Sequence, residues 1–148
     1  MGSFAVSEQI EAPPPRVWSA LADIGDIHRW NPGVRASHAT TEQAGGLGAR
    51  RHCKVGGRNY LDEEVVEWED GSRLTMRVIG TNLPFKTADI RFRLDGNGDA
   101  TTVTVSPEYE LKFGPLGRLM DRMMVRSQYE KGMRTMLAGL KREVEGSA

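Results

Sequence analysis

The stretch ARRHCKVGGRNYLDEEVVEWEDGSRLTMRVIG, residues 49–80, decides the fold: it holds three runs of strand-like alternation separated by two glycine-containing turns. In the second and third runs, Leu61, Glu63 and Val65 share a face with Leu74, Met76 and Val78, because strand side chains alternate with period two. Asp70-Gly71 is a two-residue hairpin signal. It pairs 69 with 72, and therefore Val65 with Met76 and Glu63 with Val78.

The turn at Gly56-Gly57 admits two registers. A three-residue loop, Gly56-Gly57-Arg58, pairs 55 with 59 and sets Arg51 opposite Glu63; a two-residue loop sets Arg51 opposite Asp62. The first agrees with the neighbouring hairpin and with the face shared by Ala49, Cys53 and Val55, and is preferred. Arg51 and Glu63 then point inward together, which two charges tolerate only when paired or wet. Such a pair serves either as a polar anchor for a ligand's carbonyl, hydroxyl or carboxylate, or as an ion pair that fixes sheet register. Both readings stay open.

Outward from this stretch, residues 86–94 place Ala88, Ile90, Phe92 and Leu94 on one face, and residues 101–111 do the same for Val103, Val105, Tyr109 and Leu111. Asp95–Asp99 is a glycine-rich turn between them, so short links join every strand from 54 onward into an antiparallel meander. Upstream, residues 34–41 alternate weakly and residues 3–11 form a first strand, stopped at Pro13-Pro14-Pro15. The third proline suits a helix start, with Val17, Trp18, Leu21 and Ala22 at helical spacing. Asp26 caps a second short helix, Ile27–Trp30, which ends at Asn31-Pro32-Gly33.

Gly114-Pro115 opens a last helix to about Val144, with one buried stripe: Leu116, Met120, Met123, Met133, Leu137, Leu140 and Val144. Ser127 and Glu130 break the stripe, and Gly132 and Gly139 fall on the opposite face. The expected architecture is α+β: a curved antiparallel sheet of about six to seven strands around a long C-terminal helix, with two short helices after the first strand, residues 1–148 forming one domain. One helix cannot cover a wide sheet, so space between them is a natural ligand site.

Composition limits the partners. Twenty Lys and Arg balance twenty Asp and Glu, so no global charge favours nucleic acid or an acidic membrane. The basic run Arg50, Arg51, His52 and Lys54 falls within a strand-like alternation, and its even positions, Arg50, His52 and Lys54, read as a solvated face. Cys53 is the only cysteine, which rules out an intrachain disulfide and permits a reducing compartment. The start MGSFAVSEQIEAPPP lacks the pattern of a signal peptide, and no apolar run approaches the ~18 residues of a membrane span. The expectation is a cytoplasmic protein with no stable membrane insertion.

The order of elements and several local motifs resemble the SRPBCC (START-like) superfamily, which includes the birch pollen allergen relatives, and most nearly its bacterial polyketide cyclase/dehydrase-like group. The residues that carry the likeness are Ile10-Glu11-Ala12-Pro13 with Val17-Trp18, Asp26-Ile27-His28-Arg29-Trp30-Asn31-Pro32, Gly48 with Arg51 and Cys53, and Leu61, Glu63 and Val65 with Glu67-Trp68. Arg73-Leu74, Gly114-Pro115-Leu116-Gly117 and Leu137-Ala138-Gly139-Leu140-Lys141 complete it, nearly over the whole chain. The resemblance implies a helix-grip fold and a hydrophobic small-molecule ligand, such as a lipid, quinone or polyketide. Its alternative implication is a polyketide cyclase/dehydratase. No uniform catalytic motif transfers with the fold.

The residues expected around a ligand are Trp30, Arg51, Cys53, Leu61, Glu63, Val65, Met76, Val78, Phe92, Tyr109, Met120, Met123, Ser127 and Glu130. For a cyclase, enolate formation needs a base and an oxygen-stabilising cation or hydroxyl, roles open to Glu63, Arg51 and Tyr109. Against each stands a packing role. Five of the seven methionines lie in the last helix, where thioethers make either an adaptable cavity wall or ordinary core. No cofactor or metal is expected: His28, His38, His52 and Cys53 lack paired ligand spacing, and His52 and Cys53, adjacent in a strand, point to opposite faces. Gly45-Gly46-Leu47-Gly48 lacks the strand-to-helix context of a phosphate loop.

Overall fold

A computed structural model describes residues 2–146. In chain order the elements are β1 (Gly2–Ser3), β2 (Val6–Ile10), α1 (Pro14–Ala22), a 3-10 helix (Ile24–Arg29), β3 (Ala36–Ala39), β4 (Arg50–Lys54), β5 (Tyr60–Glu69), β6 (Arg73–Thr81), β7 (Phe85–Asn97) and β8 (Ala100–Leu111). Then come α2 (Gly114–Met120), a π-helical segment (Asp121–Val125) and α3 (Arg126–Gly146). The strands form one antiparallel sheet in the order β1-β8-β7-β6-β5-β4-β3, with β2 also paired to β8.

The first strand is split for a local reason. Ser3 pairs with Glu108 and Val6 with Val105, one uninterrupted register. The break falls opposite Pro107, which has no N–H to give the ladder. Its carbonyl still accepts the Phe4 N–H at 3.4 Å.

The hairpin at Gly56-Gly57 takes the three-residue loop. Arg51 pairs with Glu63, and the Val55 N–H donates to Asn59 O at 3.0 Å. The Asp70-Gly71 turn departs from the expected geometry: Glu69 pairs with Arg73, so this loop also has three residues. A bulge between Val65 and Glu67 absorbs the shift, and Val65 opposite Met76 and Glu63 opposite Val78 are restored.

Three helical details differ from the sequence reading. α1 begins at Pro14, one residue early, with extended Pro13 before it. The 3-10 helix starts at Ile24 and is kinked at Asp26, whose side chain caps nothing. The long helix carries the π-helical segment, which changes the phase of the apolar stripe. Met136, Leu137, Leu140 and Val144 are buried, but Leu116 is 58% and Met123 77% exposed. Gly139 lies on the buried face, not the opposite one: a Cβ there would sit 1.9 Å from the Trp30 carbonyl oxygen.

The sheet's concave face and α3 enclose the core, with Ile10, Val17, Ile24, Val103, Leu137 and Leu140 fully buried. Polar ties fix the end of α3 to β2 and α1. Lys141 Nζ donates to Gln9 O at 2.7 Å, the Glu11 N–H donates to Glu145 Oε2 at 2.8 Å, and Arg16 Nη2 donates to Val144 O at 2.5 Å.

Candidate functional site

Arg51 on β4 and Glu63 on β5 are cross-strand partners whose side chains meet on the concave face, 5% and 3% exposed. Arg51 Nε donates to Glu63 Oε1 at 3.0 Å, and its Nη1 donates to Ile24 O, at the start of the 3-10 helix, at 3.1 Å. Burial alone favours loss of the Arg51 proton, but the Glu63 and Cys53 side chains outweigh it and hold the guanidinium pKa above its ordinary value. Cys53 Sγ lies 3.7 Å from the same Glu63 oxygen. Burial pushes the Cys53 thiol up to about 12, with Glu63 adding to the effect and Arg51 opposing it.

The pair borders a void of about 50 Å³ between sheet and helix. Arg51, Cys53, Leu61 and Glu63 line one side and Phe92 another, with Met133 and Met136 of α3 above them. No protein hydrogen bond reaches Glu63 Oε2 among the described residues. The void is only large enough for a water or two, well short of the ~300 Å³ at which drug-sized pockets begin.

Tyr109 is placed elsewhere. It belongs to a cluster of four rings with Phe4, Phe85 and Tyr129, at centroid separations of 5.1 to 6.4 Å. Its hydroxyl donates to Asp121 in the π-helical segment, and it lines a cleft of about 460 Å³ on the far side of the cluster. Burial, then the bond to Asp121, raises its pKa above the ordinary phenol value. Arg51, Glu63 and Tyr109 therefore do not converge on one atom.

Of the other expected ligand residues, Val65 and Met76 are packed in the core and do not border the void. Val78 packs on the ring cluster. Trp30 is buried, its backbone against Gly139, and its indole Nε1 has no hydrogen-bond partner among the described residues. Met120 and Glu130 are half-buried outside the lining, while Met123 and Ser127 are exposed on the outer surface. Met123 lies in the π-helical segment itself, where the phase changes, whereas Ser127 lies beyond it in α3, off the stripe of Leu137 and Leu140 by ordinary helical spacing.

Sequence reasoning missed Tyr129, Met136 and Asn31. Tyr129 packs in the ring cluster against Phe4, Phe85 and Tyr109, and burial foremost, then Glu63 and Tyr109, raises its pKa above the phenol range. Helical spacing from Leu137 and Leu140, counted backwards, reaches Met136 and Met133 and was the available signal.

Among the described residues no group of three or more His, Cys, Asp or Glu is placed to hold a metal ion, and no helix is long and apolar enough to cross a membrane. The thiol offers a direct check on the site. A neutral, buried Cys53 is expected to react with iodoacetamide at least ~100-fold more slowly in the folded protein than in urea at pH 8–9. Comparable rates would show that the hairpin floor is open to solvent.

Solved structures share the fold. A protein from Thermus thermophilus superposes with a TM-score of 0.84 over 99% of both chains at 21% identity. A START superfamily protein from Mycobacterium smegmatis gives 0.83 over 99% of both chains at 16% identity. The Zhui aromatase/cyclase from Streptomyces sp. R1128 gives 0.83 at 15% identity, over 97% of this chain and 93% of its own. At such identities the likeness is one of fold. No curated protein sequence matches the chain. The family model described as polyketide cyclase / dehydrase and lipid transport matches residues 1–145, and the START-like helix-grip fold, a long helix closing a curved antiparallel sheet, agrees with it: the chain belongs to that family.

Proposed function

We propose that this protein binds a hydrophobic small molecule of lipid, quinone or polyketide type between the sheet and α3, with the Arg51–Glu63 pair as its polar anchor. The observation that carries this reading is the placement of a buried, hydrogen-bonded ion pair beside a void whose remaining lining is apolar but for Asn31 and the Cys53 thiol, with one carboxylate oxygen left for a ligand hydroxyl or N–H. A ligand of useful size enters by enlarging the void. The movable wall is Met133 and Met136, whose unbranched thioether chains repack at low cost. The opposite wall is hydrogen-bonded strand and does not yield as readily.

Native mass spectrometry, with a fatty acid, a quinone and an aromatic polyketide as probes, tests the reading. A bound probe at a hundredfold excess over its Kd is expected to stabilise the fold by about 2.7 kcal/mol. Glu63→Gln, which keeps the shape but removes the charge, is expected to weaken a hydroxyl-bearing probe about tenfold. No mass shift and no thermal shift with any of the three probes would sink the proposal.

The free Glu63 oxygen also supports a second reading, a cyclase/dehydratase in which Glu63 acts as base. The arrangement supports it less well, because Arg51 is already engaged by Glu63 and Ile24 O and the Tyr109 hydroxyl is turned to Asp121. Turnover of a poly-β-keto substrate that Glu63→Gln abolishes, with binding retained, would favour catalysis over carriage.

A further inference from the structure

The chain entering the long helix displays apolar and cationic side chains together. Five of the seven large apolar side chains exposed among the described residues fall within residues 113–124: Phe113, Leu116, Leu119, Met123 and Met124. Phe113 is also the only non-glycine residue among the described residues with a left-handed backbone, at φ 77°, a conformation bulky residues avoid. Over residues 112–126 the chain carries Lys112, Arg118, Arg122 and Arg126 against Asp121 alone, although acids and bases balance overall.

Among the described residues none of these three arginines has a carboxylate partner in an ion pair, whereas five of the six arginines in the strands do, Arg73 being the exception. Arg126 donates instead to Ser3 O at 2.9 Å. Positions four apart drift about 40° round an α-helix at each step. The π-helical turn uses more residues per turn and takes that drift back. Arg118, Arg122 and Arg126 accordingly line one cleft of about 460 Å³. Two carboxylates also line it, but Asp121 accepts the Tyr109 hydroxyl and Glu110 lies 3.8 Å from Lys86. Like charges four apart on a helix repel, and no ion pair among the described residues offsets these.

We propose that residues 112–126 dock the protein on an anionic lipid bilayer, the apolar row entering at the acyl-chain boundary and the arginine cleft receiving headgroup phosphates. An exposed apolar row flanked by cations is what an interfacial helix requires. Tyr109 lines the cleft, so docking sets the ring cluster, and the interior behind it, against the bilayer. The inference goes beyond the internal-ligand reading: docking can hold with the interior empty, and ligand retention can hold in solution without docking.

Vesicle co-flotation tests it, with phosphatidylcholine alone against phosphatidylcholine containing phosphatidylglycerol. Binding is expected to the anionic vesicles, with release as salt is raised. Arg118→Gln with Arg122→Gln is expected to weaken it roughly 25-fold, about fivefold per arginine. Leu119→Ser with Met124→Ser is expected to abolish it with circular dichroism and Tm unchanged, since all four side chains are exposed. Three outcomes overturn the proposal. One is equal or absent binding to the two vesicle types. Another is a dimer in sedimentation that the Leu119/Met124 variant dissociates, which makes a second copy the occupant. The last is displacement from vesicles by submillimolar glycerol phosphate, which makes the cleft a soluble-anion site.

Discussion

Arg51→Met is expected to lower folding stability by about 3–5 kcal/mol at neutral pH, read as a drop in the urea midpoint with the slope unchanged. The loss exceeds that of removing one hydrogen bond, because it strands Glu63, 3% exposed, without its cation. The Ile24 carbonyl loses its donor in the same step. The double variant Arg51→Met with Glu63→Leu is expected to recover most of the loss, since two apolar side chains of similar volume need no desolvation of charge. A single variant as stable as the parent would mean that water reaches the pair freely. A double variant no better than the single would mean that the pair sets strand register rather than merely neutralising itself.

Gly139→Ala is expected to cost about 3 kcal/mol, although alanine is favoured over glycine by about 1 kcal/mol in a helix. The reason is close approach: the new methyl would stand 1.9 Å from Trp30 O and 3.1 Å from Pro32 Cδ. Neither obstacle is the tip of a flexible side chain. The helix cannot retreat freely either, because Lys141, Val144 and Glu145 tie its end to β2 and α1. Gly132→Ala is the matched control. Its Cβ meets nothing within 4 Å, so the propensity gain of about 1 kcal/mol is expected with the opposite sign. Denaturation curves of the two variants side by side check both. Equal effects would show that α3 floats on the sheet.

What the sequence makes legible here depends on whether neighbouring residues constrain one another. Alternation in β4 and β5 leaves two registers at the Gly56-Gly57 turn and favours the one that sets Arg51 opposite Glu63, which is the one formed. The second hairpin is instructive because two departures cancel: the longer loop at Asp70-Gly71 and the bulge near Val66 leave Glu63 on the expected face. Alternation reports faces, and it is blind to a loop and a bulge that compensate each other. The long helix is less legible. A π-helical turn has no marked composition, and once it intervenes the phase read from Leu137 and Leu140 does not extend back to Leu116 and Met123. Gly139 is misassigned because a missing side chain contributes nothing to an apolar pattern, yet it permits the helix to approach Trp30. Tyr109 falls on the correct face, but its hydroxyl partner, Asp121, lies on that same rephased segment.

The pairing of β2 with β8 has a consequence for biosynthesis. Val6 finds Val105, and Ile10 finds Thr101, only after β3 to β7 have been translated between them. At ordinary elongation rates of about 5–20 residues per second, the first strand waits roughly 5–20 s for its partner. The hairpins from β4 to β8 can assemble in order as they emerge, but β8 keeps an unpaired edge until the N-terminal strand returns to it. The nascent chain is thus most open to aggregation while β8 emerges with that edge bare, and the return of the N-terminal strands, the longest-range pairing in the sheet, is the step that ends that exposure.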